Sequence, residues 1–398
     1  MGKSDSEEFA GRPGGGQRKI NIKVCYFTHA SNLTGASRSL IELLCGCGNY
    51  GIEPIVVLRQ RGPLERELEK SNIQYIVIPH LSNIGGGYIK NVLKRIYNRF
   101  ALKRVCLFLE REGVDLVHNN SLFAVVGMEA AERLELAYIC HLRDFMEEDH
   151  NVEILDKEKQ RRLISRADAV ITISRAVGEK YTVFAPDAQM TQIYDGIKAS
   201  AYLDVGHNIF VSQKVRILLA GRIQAGKGQL EAIKAVEWLR GSGYEDLTLT
   251  IVGSVGSEHY VRELERYIGE RQMSDAVEIR AFVQDLKEIR GGCDIGLTCS
   301  RLEAMGRVTL ENMLAGLLVI GANTAGTSEL IEDGVTGLLY NQGDYMHLAS
   351  TIAHALGHRA QMRAIAQRGR DFALNFSAER QNAKVFSLYK KVLGADGD

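Results

Sequence analysis

The sequence predicts an α/β protein of two doubly wound, Rossmann-like domains facing across a cleft. Three observations carry this. The chain has 398 residues, more than the roughly 250–300 at which a single core stops growing. Short β-branched or aliphatic runs alternate with longer amphipathic segments, as parallel sheets covered by helices on both faces require. The rhythm breaks once, in the polar stretch 194–214, and then restarts.

Taken in order, strands are expected at 21–27, 54–58, 74–78, 116–117, 137–141 and 169–173, with helices over 37–45, 62–70 and 89–110. After the break come a strand at 215–220, a helix at 228–239, a strand at 247–252, a helix at 261–271 and strands at 276–279 and 295–298. A helix over 307–315 and a strand over 318–320 follow, Glu329 is expected to start a further short helix, and 376–393 reads as the last helix. The domains are therefore 20–198 and 199–375, with 376–398 returning to the N-terminal one. Residues 1–19 are polar and Gly-rich, and read as a disordered tail without the apolar core of a signal peptide.

Apolar residues make up 45% and charged residues 25%, and the formal net charge is +0. Nothing in that balance points to nucleic acid as a partner. The seven cysteines are scattered, Cys45-Gly-Cys47 has neither metal nor redox spacing, and a reducing, cytoplasmic setting is expected. No apolar run approaches the roughly 18 residues needed to span a bilayer.

The strand ending at Ala220 runs into Gly221-Arg-Ile-Gln-Ala-Gly-Lys-Gly228, which opens a helix. Glycines there let backbone approach a ligand, and the helix start offers free N–H groups. With Arg222 and Lys227 the loop reads as a diphosphate site. Gly221, Gly226 and Lys227 also satisfy GxxxxGK, but Gly228 stands where an ATP-type loop needs a Ser or Thr hydroxyl for magnesium. A second constellation follows the strand at 295–298. Glu303 precedes the helix, Glu311 lies inside it, and the backbone amides of Gly306, Arg307, Val308 and Thr309 are expected to point at an anion. No Asp-x-Asp pair follows a strand; Asp396-Gly-Asp398 is a tail.

Together these residues resemble glycosyltransferase family 4, the glycogen-synthase-like retaining enzymes of GT-B fold, over about residues 23–386. The most specific part is 302–340, similar to the family's E-x7-E motif and the Gly-rich stretch after it. Gly221-Arg222 and Lys227-Gly228 look like its donor-phosphate pair. The resemblance implies a nucleotide-diphosphate sugar donor, UDP- or GDP-linked, and no metal or other cofactor. It implies that Arg222 and Lys227 neutralise the leaving diphosphate, that Glu303 contacts the transferred sugar and that Glu311 holds the ribose hydroxyls. Gly35 would let the first loop close over the phosphates, and His141 would bond the sugar. Two departures stand out: Ala36-Ser37 where many members carry Ala-Glu, and Ala325-Gly326-Thr327 where Gly-Gly-Thr is commoner. Retention is generally ascribed in the family to same-face attack, with a double displacement through a carboxylate as the alternative.

His118 and Asn119, at another strand end, are candidates for acceptor contact, against helix capping by Asn119 or Ser121. Arg143 and Asp144 are further acceptor candidates, against a surface ion pair. The acceptor is a hydroxyl on a sugar, a lipid-linked glycan or another carrier, and surface polysaccharide synthesis is an expected setting. Residues 88–110 carry Lys90, Lys94, Arg95, Arg99, Lys103 and Arg104 beside Ile89, Leu93, Ile96, Phe100 and Leu107 at helical spacing. Such a helix suits peripheral contact with anionic lipid, and equally a solvated helix packing one face on its own sheet. A non-catalytic sugar-nucleotide-binding subunit and a GT-B epimerase are the competing functions.

Overall fold

The computed structural model describes residues 21–150 and 152–394. The expected tail of 1–19 and the Asp396-Gly-Asp398 pair lie outside them. Seven strands form the first sheet: β1 (Ile22–Thr28), β2 (Ile52–Leu58), β3 (Gln74–Val77), β4 (Leu116–Asn119), β5 (Ala137–Leu142), β6 (Ala169–Thr172) and β7 (Met190–Gln192). The helices between them are α1 (Gly35–Gly46), α2 (Leu64–Lys70), α3 (Tyr88–Glu112), α4 (Val126–Leu134), α5 (Glu147–His150), α6 (Lys157–Ser165) and α7 (Arg175–Phe184). Six strands form the second sheet: β8 (Val215–Ala220), β9 (Leu247–Gly253), β10 (Val277–Ala281), β11 (Ile295–Thr298), β12 (Leu318–Ala322) and β13 (Leu338–Tyr340). Its helices are α8 (Gln229–Gly241), α9 (Glu258–Glu270), α10 (Lys287–Gly291), α11 (Arg307–Leu314), α12 (Ala325–Leu330), α13 (Tyr345–Gly357) and α14 (Arg359–Ala373), and α15 (Ala378–Val392) closes the chain.

Every strand pairing is parallel, in the orders β3-β2-β1-β4-β5-β6-β7 and β10-β9-β8-β11-β12-β13. Each order reverses once, between β1 and β4 and between β8 and β11. Ligands of such sheets bind at the carboxyl ends of the strands flanking that switch point. The strands are buried on both faces, as their near-continuous Val/Ile/Leu runs require.

The chain crosses between the sheets twice, and the crossings run side by side. Ile197 and Ser377 form a bridge, and Ile197 N–H donates to Phe376 O at 2.8 Å. A Cβ on Gly196 would meet Ala378 Cα at 2.5 Å, so glycine permits the approach. Helix α15 packs on α1 and buries Val385, Phe386 and Tyr389 beside Tyr26 and Leu43. One apolar cluster runs between the halves, joining Met305, Leu310 and Leu330 to Phe145 and Val177.

Two sequence expectations shift. Glu329 does not start a helix: α12 begins at Ala325, and Glu329 sits in its last turn. Strand β4 extends through Asn119 because His118 and Asn119 pair with Tyr26 and Phe27 of β1, which places two polar residues inside a buried strand.

Candidate active site

The β8 and β11 loops meet at the switch point of the second sheet. Gly221, Gly226 and Gly228 have φ of 152°, 89° and 75°, a region that side chains resist. Gly228 is the N-cap of α8, and a Cβ there would sit 2.2 Å from Cys299 O. Close packing of the two loops therefore removes the hydroxyl that an ATP-type loop would carry. Arg301 N–H donates to Gly226 O at 2.7 Å, lacing the loops together. Lys227 Nζ lies 3.0 Å from Glu303 Oε2, a partly buried pair. Burial pushes the Glu303 carboxyl up, but Lys227 and a Ser300 hydrogen bond outweigh it and hold it below its ordinary value. The Arg222 guanidinium is exposed on the same loop.

Gly306, at φ 91°, is the N-cap of α11. Thr309 N–H donates to Gly306 O at 2.9 Å, and its hydroxyl meets Thr298 Oγ1 at 3.1 Å in the core. The expectation that the Thr309 amide faces an anion is therefore corrected: that donor closes the first helical turn. Arg307 and Val308 line the cleft. The Arg307 guanidinium reaches the other half, donating to both Glu42 oxygens at 2.8 Å and to Ser39 Oγ and Gly196 O at 3.1 Å. Burial alone would lower its pKa, and the Glu42 hydrogen bonds and charge hold it raised. Glu311 Oε2 takes a 2.5 Å bond from buried Arg290, and its Oε1 lies 3.4 Å from Arg307 Nε. Two cations thus fix this carboxylate at the cleft wall.

The cleft encloses about 470 Å³. The first half contributes His29, Thr34, Gly35, Arg38, Arg143 and Asp144, and the second Gly221, Arg222, Lys227, Glu303, Arg307, Val308 and Glu311. Exposed Phe282 and Val283 form an apolar edge. Space beside Gly35 is open. Cations at a glycine loop, carboxylates placed to accept hydroxyl hydrogen bonds and an apolar edge suit a ligand that is anionic, polyhydroxylated and partly flat.

Sequence comparison agrees with that geometry. The family described as "Glycosyl transferases group 1" matches residues 207–372, and "Glycosyltransferase Family 4" matches 33–201. The chain belongs to the family 4, group 1 glycosyltransferases. It moves a sugar from a nucleotide sugar to an acceptor. Among similar proteins, an uncharacterized glycosyltransferase of Methanocaldococcus jannaschii is 21% identical over 82% of this chain and 87% of its own. The glycogen synthase of Mycobacterium tuberculosis is 28% identical over 52% of this chain, which spans 50% of that enzyme's length. The Anabaena protein HepE, solved in complex with UDP and glucose, shares the fold at a TM-score of 0.78 and 23% identity, covering 93% of this chain and 99% of its own.

Within this glycosyltransferase three expected contacts move. His118, Asn119 and His141 are wholly buried beneath the cleft rather than lining it. His118 Nδ1 lies 2.6 Å from Tyr389 Oη, and its Nε2 lies 3.1 Å from His141 Nδ1. Asn119 donates to Ser121 O at 2.7 Å and Ser121 Oγ accepts from Phe123 N–H, so both shape a turn; neither faces an acceptor or caps α4. Arg143 does not form a surface pair with Asp144. Its Nη1 binds Asp195 at 2.6 and 2.7 Å and its Nε donates to Asn120 Oδ1 at 2.7 Å, all buried. Asp144 accepts from Met146 N–H at 3.0 Å and borders the cleft.

Sequence reasoning missed Glu42, Arg290 and Asp195, the ion partners of site residues, since an acid or base inside a helix or linker carries no local signal. It also missed Gly253-Ser254 at the cleft end of β9, where a glycine just after a strand was the available clue. A Cβ on Gly253 would meet Gly221 O at 1.8 Å.

Proposed function

We propose that this glycosyltransferase retains anomeric configuration and replaces a metal ion by Arg222 and Lys227 at the donor diphosphate. The observation that carries the reading is the pair of cations on a glycine loop at the switch point of the second sheet, with Lys227 held by Glu303 at 3.0 Å. Preorganised cations stabilise a departing diphosphate without rearranging during the reaction.

Residues 199–375 would hold the donor, and 20–198, with 376–398 returning to it, the acceptor. The diphosphate lies on 221–228 and under the Arg307 and Val308 amides, the ribose hydroxyls on Glu311, and the sugar against Glu303. Phe282 and Val283 suit the base, uracil or guanine; UDP and glucose in HepE favour a UDP-sugar. The acceptor hydroxyl enters past Arg143 and Asp144. Glu303 is tied to a cation, which weakens it as a nucleophile and favours same-face attack, the leaving phosphate oxygen taking the acceptor proton. The glycogen synthase relative favours a sugar polymer as acceptor, with a lipid-linked or other glycoconjugate hydroxyl as the alternative. All seven cysteines are free, which supports a cytoplasmic setting.

The test is release of nucleoside diphosphate from a panel of UDP- and GDP-sugars in chelator. One donor should turn over, with an α-linked product from an α-linked donor, and Lys227→Ala should lower turnover by about a hundredfold or more. No turnover of any donor, or chelator-sensitive turnover, contradicts the reading.

A further inference from the structure

Helix α3 carries two apolar faces, and only one is used by the fold. Its buried residues are Ala101, Val105, Cys106, Phe108 and Leu109, all in the second half. The thirteen residues 88–100 include no buried one. At about 1.5 Å per residue they extend roughly 20 Å along the surface. On the side away from the core, Ile89, Leu93, Phe100 and Leu107 are between 59% and 73% exposed, with Ile96 between them. Their spacings of 4, 3, 4 and 7 residues place them on one narrow stripe. Tyr88 and Tyr97, both exposed, flank it.

The charges beside this stripe have one sign. Lys90, Lys94, Arg95, Arg99, Lys103 and Arg104 fall within 88–109, which contains no acid, in a chain whose net charge is +0. Lys94 donates to Ile84 O and Arg95 lies 3.9 Å from Asp156, which leaves Lys90, Arg99, Lys103 and Arg104 beside the stripe. A solvated helix has no use for an exposed aliphatic stripe, and a second copy of the chain would oppose these cations to their own kind. The opposite sign at an apolar boundary is offered by anionic lipid. Among the described residues no helix is long and apolar enough to cross a membrane, so α3 would lie in the interface.

We infer that α3 docks the glycosyltransferase on an anionic lipid surface, with the exposed stripe in the acyl boundary and the cations at the headgroups. Topology adds the orientation. Helix α3 follows β3 in an all-parallel sheet, so Tyr88 starts at the carboxyl ends of the strands, the edge that bears the cleft. Docking brings the cleft toward the surface and suits a lipid-borne acceptor. The inference does not depend on the donor chemistry proposed above.

The full-length protein is tested by co-sedimentation with phosphatidylcholine vesicles, with and without about a third phosphatidylserine. Wild type should bind the anionic vesicles at least about tenfold more tightly and release in high salt. Leu93→Ser with Phe100→Ser should lose that binding about tenfold or more, and K90E with R99E should abolish the preference for anionic lipid. These side chains are exposed, so both variants should keep the wild-type melting temperature and donor hydrolysis in solution. Wild type left in the supernatant of anionic vesicles at low salt overturns the inference. So does a folded serine variant that sediments like wild type, or a wild-type dimer that the same substitutions turn to monomer.

Discussion

At Gly228 one missing side chain separates this glycine loop from an ATP-type phosphate loop. The sequence spells all of GxxxxGK, and a serine next would complete the ATP-type motif. The structure shows why it is absent: φ is 75° and Cys299 O is where Cβ would go. Gly228→Ser should therefore destabilise the protein by about 1–3 kcal/mol and bring no nucleoside triphosphatase activity. Thermal melting and phosphate release check both; an unchanged melting temperature would mean that the loops do not pack as described. Arg222 and Lys227 could be singled out as cleft residues because a glycine loop is local in sequence. Arg290, 21 residues from the Glu311 it holds, was not, since a fold brings the pair together.

At the scale of elements, the adjacent ends of β4 and β5 place His118 and His141 in contact under α15. Arg143 donates toward His141 Nδ1 at 3.3 Å and Tyr389 lies 2.6 Å from His118 Nδ1. A consistent assignment has His118 Nε2–H donating to His141 Nδ1. Burial, then the Arg143 charge, lowers His118 to about 3 and holds His141 well below its ordinary value. Both folded values lie below the unfolded value near 6.5, so the unfolded chain binds more protons as pH falls. Stability should thus be insensitive to these groups above about pH 6.5 and decline between about pH 6.5 and 4, by up to about 1.4 kcal/mol per unit for each histidine. Denaturant melts across that range check this, and His118→Gln should flatten the slope; equal stability at pH 7 and 4.5 would contradict it. The sequence placed these strands but took their polar ends for cleft residues. Period-2 reasoning cannot tell a buried polar pair from a ligand contact when the partner, Tyr389, is 271 residues away.

At the scale of the molecule, the alternation of strands and helices was enough for two parallel sheets, because each buried strand is a compact aliphatic run. The shortest edge strands, β7 and β13, have three residues each, too few for a period to register. What joins the halves was also hidden: Arg307 on Glu42, and Glu329 accepting from the Arg175 and Ala176 amides at 2.8 and 2.7 Å, where it caps α7. These bridges seat the second sheet's 221–228 loop opposite the first sheet's α1 loop, with the cleft between them. The most direct measurement is a crystal structure with the preferred nucleoside diphosphate bound. Its phosphate oxygens should lie within about 3 Å of Arg222 and Lys227, with Glu311 on the ribose hydroxyls. A diphosphate seated away from the 221–228 loop would contradict the account.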